Sequence, residues 1–335
     1  AIDISERRIP QDGKVRVRFQ GRRIDVRVSS FPSLHGEKIV MRLLDKERQN
    51  FTLSSIGMAA GLLDQWKRLM RRKEGIILVT GPTGSGKSST LYATLRALNQ
   101  PDINIVTLED PVEYELNGIT QAQVNPKAGY TFAKGLRAIL RQDPDVILVG
   151  EIRDAETAQI AVQAALTGHL VLATLHTNDA PSTILRLIDM GVPRYLVAAS
   201  LAGVLAQRLI RRVCPHCIEE TAPSASDAVL AMPWMDRGVP YRQGKGCRRC
   251  GDRGYKGRVG VHELIALNAE NQRLIAEGAD EGALRDSLRK GGYTPLWWDG
   301  LEKARAGHTT IAELLERLDF EEAIHEVESE SAQPV

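Results

Sequence analysis

Between residues 75 and 175 the chain alternates short apolar runs with amphipathic segments. The runs are Ile76-Ile77-Leu78-Val79, then 103–108, 146–149 and 170–173. Continuous apolar stretches of this length suit strands buried on both faces. The segments between them, 88–98, 132–141 and 155–166, predict helices. Strand and helix in alternation give βαβ units and a parallel sheet covered on both sides. Asp154 is a fitting N-cap for the third helix, and Gly168 a fitting residue just past its end.

A different pattern precedes this region. Val15-Arg16-Val17-Arg18-Phe19 and Ile24-Asp25-Val26-Arg27-Val28 alternate with period two, and Gln20-Gly21-Arg22 reads as the turn between them. A third strand is expected over 38–44, after a turn at 32–36. Residues 1–50 therefore form a small strand-rich domain, 51–58 a linker, and 59–72 a helix opening a larger domain that runs to 213. The first fifty residues hold twelve Lys or Arg against seven Asp or Glu. Two readings of the alternating arginines stay open: the solvated face of a half-open sheet, or cations facing a neighbouring active site. Residues 214–263 form a cysteine-bearing insert and 264–320 a region of short helices, with Trp297-Trp298 as packing. The segment 321–335 carries five Glu and no Lys or Arg, and is expected to be an acidic, disordered tail.

Composition narrows the class. A net charge of +2 argues against a dedicated nucleic-acid binder. No stretch reaches the roughly eighteen apolar residues of a membrane helix. The richest, 158–175, is broken by Gln159, Gln163, Gly168 and His169. There is no signal-peptide pattern, and the chain opens at Ala1 without an initiator Met, so it is read as lacking an upstream segment.

Gly81-Pro82-Thr83-Gly84-Ser85-Gly86-Lys87-Ser88, followed by Ser89, is a complete phosphate-binding loop between an apolar strand and a helix. Its glycines let backbone N–H groups turn inward around phosphate oxygens, and the helix N-terminus adds positive potential. Lys87 is expected on the β- and γ-phosphates of ATP, and the Ser88 hydroxyl on Mg²⁺. Two acidic clusters end neighbouring strands: Glu109-Asp110 with Glu113, and Glu151 after Val146-Ile147-Leu148-Val149-Gly150. The second resembles a Walker B motif, except that Gly150 stands where many such enzymes hold Mg²⁺ with Asp. Glu151 is thus the candidate to orient or deprotonate water. Glu109 and Asp110 act on the metal or share the base role. His176, in Thr174-Leu175-His176-Thr177-Asn178-Asp179, is a candidate phosphate sensor. Cys214-Pro-His-Cys217 and Cys247-Arg-Arg-Cys250 are two C-x₂-C pairs separated by 29 residues. Four thiolates give a closed tetrahedral site for structural Zn²⁺, with a redox dithiol as the alternative and His216 outside the ligand set.

The order of these motifs, with the run Gly135-Leu-Arg-Ala-Ile-Leu-Arg-Gln-Asp-Pro-Asp-Val-Ile-Leu-Val-Gly-Glu-Ile-Arg-Asp154, resembles the secretion ATPase superfamily, in its type II secretion and type IV pilus assembly branch. The resemblance covers nearly the whole chain. It implies an α/β fold: a P-loop, RecA-like parallel sheet with flanking helices, a small N-terminal α+β domain and a zinc-binding insert. It also implies a hexameric ring at the cytoplasmic face of the bacterial inner membrane. There it would hydrolyse ATP to drive pseudopilus assembly beside inner-membrane platform proteins. The family places ATP between its small domain and its P-loop domain, with arginines matching Arg27 and Arg42 on the phosphates. Arg137, Arg141 and Arg153 match further arginines near the site, and His169 joins His176. Retraction ATPases of pili lack the four cysteines. The runs Gly257-Arg-Val-Gly-Val-His-Glu-Leu264 and Val124-Asn-Pro-Lys127 look closer to type II secretion than to pilus assembly. Full-length type II members carry a further N-terminal domain that docks on a membrane-anchored partner, and this chain starts after it.

Two other classes compete. A hexameric nucleic-acid translocase would share the phosphate loop, but no basic groove interleaved with aromatics accompanies it here. A scaffold that binds ATP without turnover is at odds with intact Lys87, Ser88 and Glu151.

Overall fold

The alternating arms of the N-terminal unit form an antiparallel meander of β1 (Gln11–Phe19), β2 (Arg22–Ser33) and β3 (Gly36–Asp45). The computed structural model describes residues 2–45, 52–223 and 239–318. Phe19 pairs with Arg22, so Gln20 and Gly21 are the whole turn, with φ of 50° and 79°. Positive φ at both positions is the hairpin turn whose twist matches its strands. The described residues of this unit contain strands and no helix. Registers place Lys14 opposite Arg27, and Arg27 opposite Arg42. Three cations thus stand in register across the sheet, where like charges directly opposite repel.

The second unit begins at Thr52. Its centre is a seven-stranded sheet. The strands are β4 (Gly75–Thr80), β5 (Ile105–Glu109), β6 (Thr120–Gln123), β7 (Val146–Val149), β8 (Leu170–Leu175), β9 (Leu201–Val213) and β12 (Tyr255–Ala266), in the order β12-β9-β4-β8-β7-β5-β6. All pairs are parallel except β12 with β9. Alternation within the apolar runs splits the core into two layers. Ile77 and Val79 join Trp66, Leu91 and Leu95 from α1 (Ala60–Leu69) and α2 (Lys87–Leu98). Ile76 and Leu78 face the other layer. That layer is built on α3 (Phe132–Ile139), α4 (Ala155–Leu166), α5 (Ala180–Asp189) and α6 (Arg194–Ser200). The expected strands and helices of this region form within a few residues of their predicted bounds. Asp154 caps α4 through Thr157 N at 2.8 Å.

The cysteine-bearing insert differs from its expected bounds. Residues 255–263 belong to the central sheet, because Val261, Leu264 and Ile265 fill its core against β9. The insert proper carries β10 (Ile218–Glu220) and β11 (Arg242–Gly244), paired antiparallel. The C-terminal helices follow as α7 (Ala269–Glu277), α8 (Glu281–Lys290), α9 (Leu296–Arg305) and α10 (Ile311–Arg317). Trp297 is buried among them, while Trp298 is partly exposed. The expected tail at 321–335 lies outside the described residues, as do 46–51 and 224–238.

A candidate nucleotide site and a tetracysteine site

Because β4, β5, β7 and β8 run parallel, their C-terminal ends share one edge of the sheet, the edge where open α/β sheets bind ligands. The loop 81–86 follows β4, with Gly81, Gly84 and Gly86 at φ of 139°, 81° and 93°. A Cβ on Gly81 would stand 2.4 Å from Gln207 O, so only glycine fits there. The side chain of Gln207 braces the loop from β9, donating to Ser85 O at 2.8 Å and accepting from Thr90 Oγ1 at 2.8 Å. Lys87 Nζ bonds Gly81 O and Pro82 O at 2.7 and 3.1 Å. Burial pushes its ammonium down to about 8; Glu151 opposes the shift, and Arg208 adds to it. Ser88 and Ser89 occupy the first turn of α2.

Glu151 follows β7 and is partly buried. Arg153 reaches one of its oxygens at 2.7 Å, and His176 Nε2 stands 3.3 Å from the other. The loop carrying His176 is anchored to the end of β4, where Thr80 Oγ1 and Thr177 Oγ1 lie 2.7 Å apart. Lys87, Glu151, Arg153 and His176 therefore gather at one place. Gly150 is tight: its Cβ would meet Leu108 O at 3.1 Å and Glu109 Cα at 3.2 Å. An Asp in the usual metal-binding place would need the end of β5 to give by a few tenths of an ångström.

Glu109 is buried and saturated with neutral donors. Tyr92 OH donates to one oxygen, while Thr107 Oγ1 and Gln121 Nε2 donate to the other at 2.6 and 3.1 Å. Asp110 is exposed and close enough to act on the charge of Arg153, and Glu113 is half-buried. Arg137 pairs with Glu156 at 2.8 Å, in the first turn of α4. Arg141 turns back to Arg137 O at 2.8 Å. His169 is not at this edge. It precedes β8, bonds Ala164 O through Nδ1 at 3.0 Å, and lies about 20 Å from the loop's end of the sheet, the length of a six-residue strand. Arg27 and Arg42 belong to the N-terminal unit.

Sequence reasoning missed Gln207, Arg208 and Tyr92. The detectable signal was Gln207-Arg208 itself, a polar pair inside the otherwise apolar start of β9.

At the far end of the β9–β12 hairpin, the Sγ atoms of Cys214, Cys217, Cys247 and Cys250 all lie within 4.8 Å of one another. Cys214–Cys247 and Cys217–Cys250 are 3.9 Å apart, and Cys247–Cys250 is 3.7 Å. Four sulfurs about 2.3 Å from one tetrahedral ion stand about 3.8 Å apart. A disulfide would need about 2.05 Å, and all four thiols are free. Cys247 N donates to Cys250 Sγ at 3.2 Å. His216 pairs instead with Arg249 at 3.0 Å. The four cysteines are positioned to hold a metal.

Comparison with known proteins agrees with this geometry. The type II secretion system ATPase E of Vibrio cholerae is 52% identical over 315 residues, covering 94% of this chain and 62% of that protein. The type IV pilus assembly ATPase PilB of Thermus thermophilus is 49% identical over 318 residues, covering 94% of this chain and 36% of that one. The chain thus spans less than two thirds of the length of either relative. The crystal structure of the pilus retraction motor PilT with bound ADP superposes with a TM-score of 0.67 at 30% identity, covering 92% of this chain and 77% of that one. The model of the type II/IV secretion system protein family matches residues 1–316, and the chain belongs to that family.

Proposed function

We propose that this chain is the catalytic part of a type II secretion ATPase, which hydrolyses ATP to ADP and phosphate to drive pseudopilus assembly. The observation that carries this reading is the gathering of Lys87, Glu151 and His176 around the loop 81–86. The backbone N–H groups of the loop take the phosphate oxygens, and Lys87 takes the negative charge of the β- and γ-phosphates. Ser88 and the acidic box of Asp110 and Glu113 would hold Mg²⁺, which neutralises charge on the transferring phosphoryl group when bound. Glu151 receives the proton of the attacking water or orients it. Among the described residues its oxygens pair with Arg153 and His176, whereas those of Glu109 are taken by Tyr92, Thr107 and Gln121. Glu109 then positions the acidic box rather than acting as base. His176, beside Glu151, senses the γ-phosphate. Arg153, Arg137 and Arg141 add cationic charge around this edge. Arg27 and Arg42 also act on phosphate charge in this reading, supported by their place in the row of cations with Lys14.

Zn²⁺ is the metal that four thiolates at this spacing fit best, in a structural role. The assembly we propose is a hexameric ring, peripheral on the cytoplasmic face of the inner membrane, whose partners are platform proteins of the type II system. The names of the relatives support the secretion role, and no helix among the described residues is long and apolar enough to cross a membrane. Pilus assembly is the second reading, favoured by the 49% identity to PilB.

Phosphate release from ATP, followed against protein concentration with size measured in parallel, tests this function. Turnover abolished by Lys87→Ala and rising per chain as larger assemblies form is the expected result. Turnover that survives Lys87→Ala would refute it.

A further inference from the structure

Arg208 has no part in the motifs above, yet it stands at the mouth of the phosphate loop. Thr80 of β4 pairs with Ala206 of β9. Two residues further along β9, Arg208 borders the start of the loop. Arg208 lines a cleft of about 290 Å³ with Pro82, Thr83, Gly84 and Ser85, and Glu316 and Arg317 also border it.

The contacts of Arg208 are unusual for a half-buried guanidinium. Its hydrogen bonds go to oxygens of neutral groups: Asn178 O at 2.8 Å, Gln207 O at 3.3 Å and Asn178 Oδ1 at 3.5 Å. Among the described residues no carboxylate pairs with it. The nearby acids are committed elsewhere. Asp179 is bound by Arg285 at 2.7 Å and by Ser182 N at 2.8 Å. Glu263 accepts from Ala180 N, Tyr293 OH and Leu296 N. Glu316, across the cleft, pairs with Arg211 at 2.7 Å.

Lys87 likewise gives its hydrogen bonds to carbonyl oxygens; the charge of Glu151 favours its ammonium, and that of Arg208 presses against it. Two like charges held close together at a glycine-rich loop favour an anion that joins them. A guanidinium fork also presents more donors than its two carbonyl bonds use.

We propose that Arg208 is a second cation of the phosphate site, contacting the phosphate tail of the nucleotide from the same chain that supplies Lys87. This rests on the reading of 81–88 as the phosphate loop. The carbonyl of Asn178 holds the guanidinium in place. Arg208 thereby also connects the phosphate tail to the loop that carries His176.

Calorimetric titration of the whole chain with inorganic tripolyphosphate and with MgATP tests the proposal, because tripolyphosphate reports the phosphate contacts without the nucleoside. Arg208→Gln is expected to weaken both ligands about tenfold or more, the scale of a lost charge-assisted bond. Arg208→Lys, which keeps the charge and loses the fork, is expected to fall between that variant and the parent. A folded Arg208→Gln protein that binds tripolyphosphate as tightly as the parent overturns the assignment. If the Gln variant does not fold, Arg208→Lys carries the test, and parental affinity there overturns it. Lys87→Ala separates the two readings: undiminished tripolyphosphate binding in that variant would defeat the phosphate-loop assignment itself.

Discussion

Tyr92 donates its hydroxyl hydrogen to Glu109, and the same oxygen accepts from Glu113 N at 3.3 Å. One side chain on the helix that begins in the phosphate loop thus fastens both ends of the acidic box. The box cannot drift relative to Lys87 without breaking these bonds. Tyr114 stacks edge-on against Tyr92 at 4.4 Å and closes the cluster.

Removing that hydroxyl leaves a buried carboxylate short of one donor. Tyr92→Phe is therefore expected to cost about 1–3 kcal/mol of stability. Urea unfolding of parent and variant measures it. Equal stability would mean that Glu109 does not depend on Tyr92.

Much of this arrangement was legible from local pattern. The runs at Ile76 to Val79 and at 146–149 are continuous because both faces of those strands are buried, and the turn at Gln20-Gly21 was marked by its own residues. Long-range register was not legible. Nothing local indicates that β12 pairs with β9, so Val259 to Glu263 read as part of the insert. The resemblance added His169 beside His176, yet a strand separates them and carries them to opposite ends of the sheet. Glu109 and Glu151 both end apolar strands, and only tertiary packing surrounds the first with Tyr92, Thr107 and Gln121.

The tetracysteine site predicts about one zinc per chain on elemental analysis of protein purified without chelator. Cys217→Ser should lower that content and the melting temperature together. A folded, fully stable protein without metal would remove the site from the account.

Lys87 is pushed down to about 8, chiefly by burial. A lowered ammonium loses its charge as pH rises through that value, while bound phosphate favours the charged form. ATP affinity should be nearly flat below pH 7 and about tenfold weaker at pH 9 than at pH 7. Titrations at the two values check this, and equal affinities would contradict it.

Glu263 is buried, which pushes its carboxyl up to about 7 from 4.5. The folded state holds this proton more tightly than the unfolded chain. Its destabilising effect is therefore absent below about pH 4.5, grows as pH rises, and is complete above about 7. The neighbouring His262 is pushed down to about 3 by burial and by Lys303, and gives the opposite slope below 6.5. Glu263→Gln removes only the first effect. The stability of the variant relative to the parent should thus improve by up to about 3 kcal/mol between pH 4.5 and 7.5. A difference that does not change with pH would rule this out.

The most direct measurement is turnover and ATP binding in Glu151→Gln, which keeps the shape of the side chain and removes the base. The account predicts ATP affinity close to that of the parent and phosphate release reduced about a hundredfold or more. Parental turnover in this variant would contradict it and return the role of base to Glu109.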